Sequence, residues 1–72
     1  MAQAQVWYDT YYARYRFRIE DTEHGQHYIL TLARDRLGKR AMQYAGLLRF
    51  SRQATSAYRQ ALEAARAHQR RQ

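Results

Sequence analysis

From Ala13 to Glu20 apolar and polar residues alternate without a break: Ala13, Tyr15, Phe17 and Ile19 fall on one side, Arg14, Arg16, Arg18 and Glu20 on the other. A period of two with aromatic and β-branched residues marks a half-buried strand, because successive side chains of extended backbone point to opposite faces. The polar run Asp21-Thr22-Glu23-His24-Gly25-Gln26 follows and suits a turn. Alternation resumes over His27–Leu32, with Tyr28, Leu30 and Leu32 on one face. Together these stretches predict an antiparallel β-hairpin, and Val6–Tyr12 supplies a short third strand or a lead-in. A helix over 6–19 is the competing reading, since Tyr8, Tyr11, Tyr12, Tyr15 and Ile19 also recur at helical spacing. The strict alternation favours the strand.

Past Ala33 the pattern changes to helical. There is no proline, Ala, Arg, Gln and Leu are abundant, and apolar residues recur every three or four positions. At about 100° per residue, Leu37, Ala41, Tyr44, Ala45 and Leu48 form one apolar face, while Leu47, Phe50, Ala54, Ala57, Tyr58, Ala61 and Ala65 form a second. The two faces differ by roughly 130° on a continuous helix, so both could not meet one core. A break resolves the conflict, and Ser51 is the natural N-cap after it. Helices near 34–49 and 52–69 are therefore expected; one long helix touching two partners is the alternative. The fold class is α+β, ordered ββαα: a hairpin region over 1–33 and a basic helical region over 34–72, in one small domain.

So short a chain buries a thin core and is marginally stable. It has no cysteine, hence neither disulfides nor thiolate metal sites to staple it. Helix packing and self-association remain, and a homodimer is expected. The alanine stripe Ala54, Ala57, Ala61 and Ala65 would let two helices approach closely. The start MAQAQVWYD has no basic segment followed by an apolar one, and no apolar run approaches a membrane span, so a cytoplasmic protein without membrane contact is the expectation.

Charge separates the two regions. Residues 1–33 set three arginines against four carboxylates, net −1, and residues 34–72 set ten basic residues against two carboxylates, net +8. Twelve of the thirteen basic residues are arginine. Codon bias would produce this, but the guanidinium fork also suits phosphate and carboxylate recognition better than an ammonium does. On the second helix Arg52, Arg59 and Arg66 repeat at intervals of seven with Arg49 and Arg70 on the same side and only Glu63 among them. A solvated face is the bland explanation. A row that repels itself unless an anion is present also fits the phosphates of a nucleic acid. Arg14, Arg16 and Arg18 form a second row at about 7 Å intervals, suited to a groove or a backbone. The facing residues His27, Ile29 and Thr31 offer it no carboxylate. Both rows are expected to serve one surface, with the helical row dominating affinity. Trp7 and Tyr15 read as cover for a core too small to bury them fully, or as a dimer interface, whereas Tyr11 and Tyr12 are candidates for stacking on bases.

Catalytic chemistry is not legible. His24 and His27 lie near Glu20, Asp21 and Glu23, but the spacing matches no metal site. Ser51, Thr55 and Ser56 have no His–carboxylate partner at usable spacing, and the three glycines form no phosphate loop. No cofactor, metal or small-molecule substrate is expected. No family pattern is matched either; a ribbon-helix-helix repressor has one strand before two helices, and here two are read. Two functions follow. The first is a non-catalytic nucleic-acid-binding protein, for DNA or RNA, contacting phosphates through Arg14, Arg16, Arg18, Arg49, Arg52, Arg59, Arg66 and Arg70, with Tyr11 and Tyr12. The alternative is a small protein-binding modulator of phage or plasmid type, such as an anti-CRISPR-like inhibitor, gripping an acidic protein surface.

Overall fold

The computed structural model describes all 72 residues. Three antiparallel strands, β1 (Ala2–Asp9), β2 (Arg14–Asp21) and β3 (Gln26–Ala33), form a sheet in the order β1-β2-β3. A short helix α1 (Gln43–Leu47) and a long helix α2 (Arg52–Arg70) follow. The hairpin and its alternation are as the sequence predicts, and the optional third strand is as long as its neighbours. Tyr11 and Tyr12 are not part of it; they sit in the β1–β2 turn.

Alternation sorts each strand onto two faces. Tyr15, Phe17, Ile19 and Asp21 of β2 are buried beneath the helices, while the even-numbered arginines project from the other side. β1 contributes Ala4, Val6 and Tyr8 to the covered face and β3 contributes Tyr28, Leu30 and Leu32. α2 lays Ala54, Tyr58, Ala61, Leu62 and Ala65 onto this layer. Alanine at three of those positions brings the helix backbone close to the sheet, and Tyr58 fills the remaining depth, its ring edge-on to Phe17 and Phe50. The Tyr58 hydroxyl donates to the Ala41 carbonyl at 2.7 Å, satisfying the one polar atom that the ring carries inward.

The alanine stripe is thus consumed inside the chain, where a dimer contact had been expected of it: Ala54, Ala61 and Ala65 are buried against their own sheet, and only Ala57 is half-buried. A sheet needs a cover as much as a helix needs a partner, and the nearest apolar face takes the place.

The first helix is shorter than the expected 34–49. Residues 34–38 run as a loop, Lys39–Met42 form a 3-10 turn, and α1 occupies only Gln43–Leu47. Arg66 of α2 braces this segment, donating from Nε to the Leu37 carbonyl at 2.6 Å and from Nη2 to the Gly38 carbonyl at 3.2 Å. The predicted apolar residues nevertheless point inward: Leu37, Ala41 and Ala45 are buried. Leu47, assigned to the second apolar face, ends α1 and is 74% exposed.

The junction between the helices is held by the sheet. The Gln26 side chain donates to the Arg49 carbonyl at 2.9 Å and accepts the Ser51 amide at 2.7 Å, and the Tyr28 hydroxyl donates to the Leu48 carbonyl at 2.9 Å. Arg49 adopts a left-handed conformation, φ 56°, to turn the chain there. Ser51 caps α2 as expected, its hydroxyl oxygen accepting the Ala54 amide at 3.0 Å. Gly25, φ 63°, performs the corresponding left-handed turn between β2 and β3 without a side-chain penalty.

Candidate nucleic-acid interface

No element covers the second face of the sheet. Its registers read Gln3–Glu20–His27, Gln5–Arg18–Ile29, Trp7–Arg16–Thr31 and Asp9–Arg14–Ala33 across the three strands. β2 is the middle strand, so its three arginines run down the centre of the open face. The alternation that buries Tyr15, Phe17 and Ile19 obliges them to do so.

The three are not equivalent. Arg14 donates from Nε to Asp9 at 3.1 Å, and its guanidinium lies 4.4 Å above the Tyr12 ring. The expectation that this row lacks a carboxylate fails here, because the partner comes from β1, a strand the hairpin reading left optional. Arg16 and Arg18 take part in none of the ion pairs. Arg18 is exposed, whereas Arg16 is half-buried between Trp7 and Thr31, and its Nε is shut from solvent without an acceptor. An unmatched buried donor is costly, and native structures hold few of them.

Trp7, expected to cover the core or a dimer interface, is 43% exposed and stands beside Arg16 on the open face, away from the core; Ile29 is also open to solvent. Odd positions of β1 share a face with even positions of β2, and that parity becomes readable only once β1 is known to pair as a full strand. Tyr15 lies on the core side as the alternation requires and is more completely buried than a mere cover, with its hydroxyl 2.7 Å from His68 Nδ1. Tyr11 and Tyr12 are exposed at the turn and packed edge to face with ring centroids 4.7 Å apart.

The helical row lies elsewhere. Arg52, Arg59 and Arg70 are exposed on α2, away from the sheet that Ala61 and Leu62 bury. Arg66, counted in this row, is occupied: besides its two carbonyls it pairs with Glu63 at 2.7 Å. Arg49 belongs to the turn before α2. A full layer of structure separates these residues from Arg16 and Arg18, so the two rows do not form the single surface expected of them.

A basic group not singled out from the sequence lies nearer. Arg36, Lys39 and Arg40 line a hollow of about 580 Å³ at the outer edge of β3, together with Thr31 from the open face and with Asp35 and Tyr44. The run Arg34-Asp35-Arg36-Leu37-Gly38-Lys39-Arg40, with four basic residues to one acid, was the available signal. Assigning it to a helix hid it.

On the covered side, Ser51, Asp21 and His24 do come together, contrary to the expectation that Ser51 has no such neighbours. The order rules out the usual nucleophile: the carboxylate sits in the middle, accepting from Ser51 and lying 2.7 Å from His24 Nδ1, so no imidazole is positioned to take the serine proton. The Ser51 hydrogen bond, opposed by burial and aided by His24, holds the Asp21 carboxyl below its ordinary value, which makes it a weak base. Asp21, Glu23 and His24 bring metal-ligand atoms within 4.8 Å of one another, but Asp21 is already engaged by Ser51 and His24. No helix is long and apolar enough to cross a membrane. The chain matches no protein-family model, and none of the curated proteins or solved structures matches it.

Proposed function

We propose that this chain is a non-catalytic nucleic-acid-binding protein that meets the phosphate backbone with the open face of its sheet. The observation that carries the reading is the pair Arg16 and Arg18, central on that face and engaged in none of the ion pairs, with one buried Arg16 donor unmatched. Guanidinium groups so placed bind phosphate oxygens with charge-assisted hydrogen bonds. Three strands span about 10 Å between their outer axes, comparable with a major groove about 12 Å wide. Arg36, Lys39 and Arg40 extend the positive surface past the β3 edge, and Trp7 offers a ring to bases or sugars beside Arg16. Arg52, Arg59 and Arg70 add long-range attraction from the far side of α2.

One specific observation favours the rival partner, an acidic protein surface: Trp7 and Ile29 expose apolar area beside the arginines, a composition typical of protein hot spots. Titration against mixed duplex DNA and against RNA at two salt concentrations separates the readings. Binding that weakens steeply with salt, with a log–log slope of several units, is expected of phosphate contacts, and the two arms rank the nucleic acids. Absence of binding at about 50 mM salt, where the electrostatic attraction is strong, overturns the proposal in favour of the protein partner.

A further inference from the structure

We propose that the outer edge of β1 is the contact for a second copy of this chain, the two β1 strands pairing antiparallel so that two sheets join into one of six strands. The inference is independent of what the sheet face binds. β1 lies at the edge of the sheet, so one side of its backbone is unpaired. Edge strands are normally protected by lysine, proline, a bulge or brevity. β1 has none of these: it is eight residues long, contains no basic residue and no proline, and pairs with β2 one-to-one from Ala2 to Asp9.

Charge identifies the occupant. Two copies of a chain with net charge +7 repel almost anywhere they touch. The β1 flank is the exception, since Ala2 to Tyr8 carry no charged side chain. The side of α2 above that edge presents Gln53, Ser56, Ala57, Gln60 and Ala64, again uncharged, while the arginines of α2 lie on its other side. The opposite edge is closed to the same use: beyond β3 stand Arg36, Lys39 and Arg40, which would face their own copies.

Shape agrees. A hollow of about 370 Å³ runs between the β1 edge and α2, lined by Ala2, Ala4, Val6, Ala57, Ala61 and Ala64. With strands about 4.8 Å apart, helices lying over the β1–β2 seam of each copy come within roughly 10 Å of each other, a normal packing distance that alanine permits. The two β2 arginine rows would then share one continuous face, about 14 Å apart, three strand spacings.

Sedimentation equilibrium of the full chain, up to on the order of 100 μM, tests the proposal. The parent is expected to dimerise. Gln60 is exposed in the monomer, so Gln60→Arg and Gln60→Glu should each fold normally by far-UV circular dichroism. Each alone should weaken the dimer about tenfold or more, and mixing the two should restore it, because opposite charges then meet across the contact. A parent that stays monomeric overturns the proposal. So does a dimer indifferent to both Gln60 variants, or one abolished instead by Leu47→Ala, which would put the contact on α1.

Discussion

The hydroxyl of Ser51 donates to the buried carboxylate of Asp21, and the same oxygen accepts the Ala54 amide at 3.0 Å, so the last residue of β2 orients the cap of α2. One proton thereby links sheet and helix. Ser51→Ala should cost more than the ordinary cap deletion of about 1 kcal/mol, since it also removes a donor from a buried acceptor. Urea unfolding of Ser51→Ala, Asp21→Asn and the double variant should show clear non-additivity; independent effects would mean that the two groups do not act as a unit.

Acid should expose the same link. The folded chain holds the Asp21 carboxyl below its ordinary value, chiefly through Ser51, so the unfolded state binds the proton more readily. The resulting stability is present above the unfolded carboxyl value of about 3.9 and is lost as pH falls through the lower folded value. Thermal melts of the parent should fall below about pH 4, and Asp21→Asn should flatten that part of the profile.

Alkaline conditions strain the core at Tyr58. Burial pushes its hydroxyl up to about 12, so the neutral form is favoured by folding. Stability from this group is complete below the unfolded value of about 10 and is lost as pH rises through the folded value. Tyr58→Phe should remove part of the decline between those limits. At neutral pH it should cost about 1–3 kcal/mol, because the buried Ala41 carbonyl loses its donor.

Ala61 faces the sheet and is 6% exposed. Ala61→Glu would bury an unpaired carboxylate, at a cost of several kcal/mol, in a domain whose whole stability is roughly 4–11 kcal/mol by size. The variant should be unfolded or nearly so by far-UV circular dichroism even at high dilution. A folded monomer would show that α2 does not seat as described.

The two arginine rows can be separated by substitution. Arg16→Ala with Arg18→Ala should weaken nucleic-acid binding at least tenfold, about 1.4 kcal/mol, and lower the salt slope. Arg52→Ala with Arg59→Ala should leave folding intact, alanine being the better helix former, and weaken binding less. If the helical pair proves the costlier loss, the interface lies on α2 and the sheet face is only solvated.

Much of this fold was legible in local pattern. Period-two alternation marks β2 and β3 because the pleat repeats every two residues, and the conflict between two helical faces locates the break that Ser51 caps. β1 was half-legible: its inward residues are Ala2, Ala4, Val6 and Tyr8, and alanine gives only a faint apolar signal. That faint signal hid the Asp9–Arg14 pair and the exposure of Trp7.

Periodicity reports how a segment's own side chains are arranged, and it is silent on what will lie against them. The sequence by itself determined that the arginines of β2 share one face, that Ala54, Ala61 and Ala65 share another on α2, and that positive charge gathers after Ala33. Only the tertiary structure decided that the alanines cover the chain's own sheet, that Arg66 is spent on the Leu37 and Gly38 carbonyls, and that the two arginine rows stand apart. Burial and hydrogen bonding are settled between segments distant in sequence, where the closest apolar face and the nearest unmatched carbonyl win, and no window along the chain contains both partners.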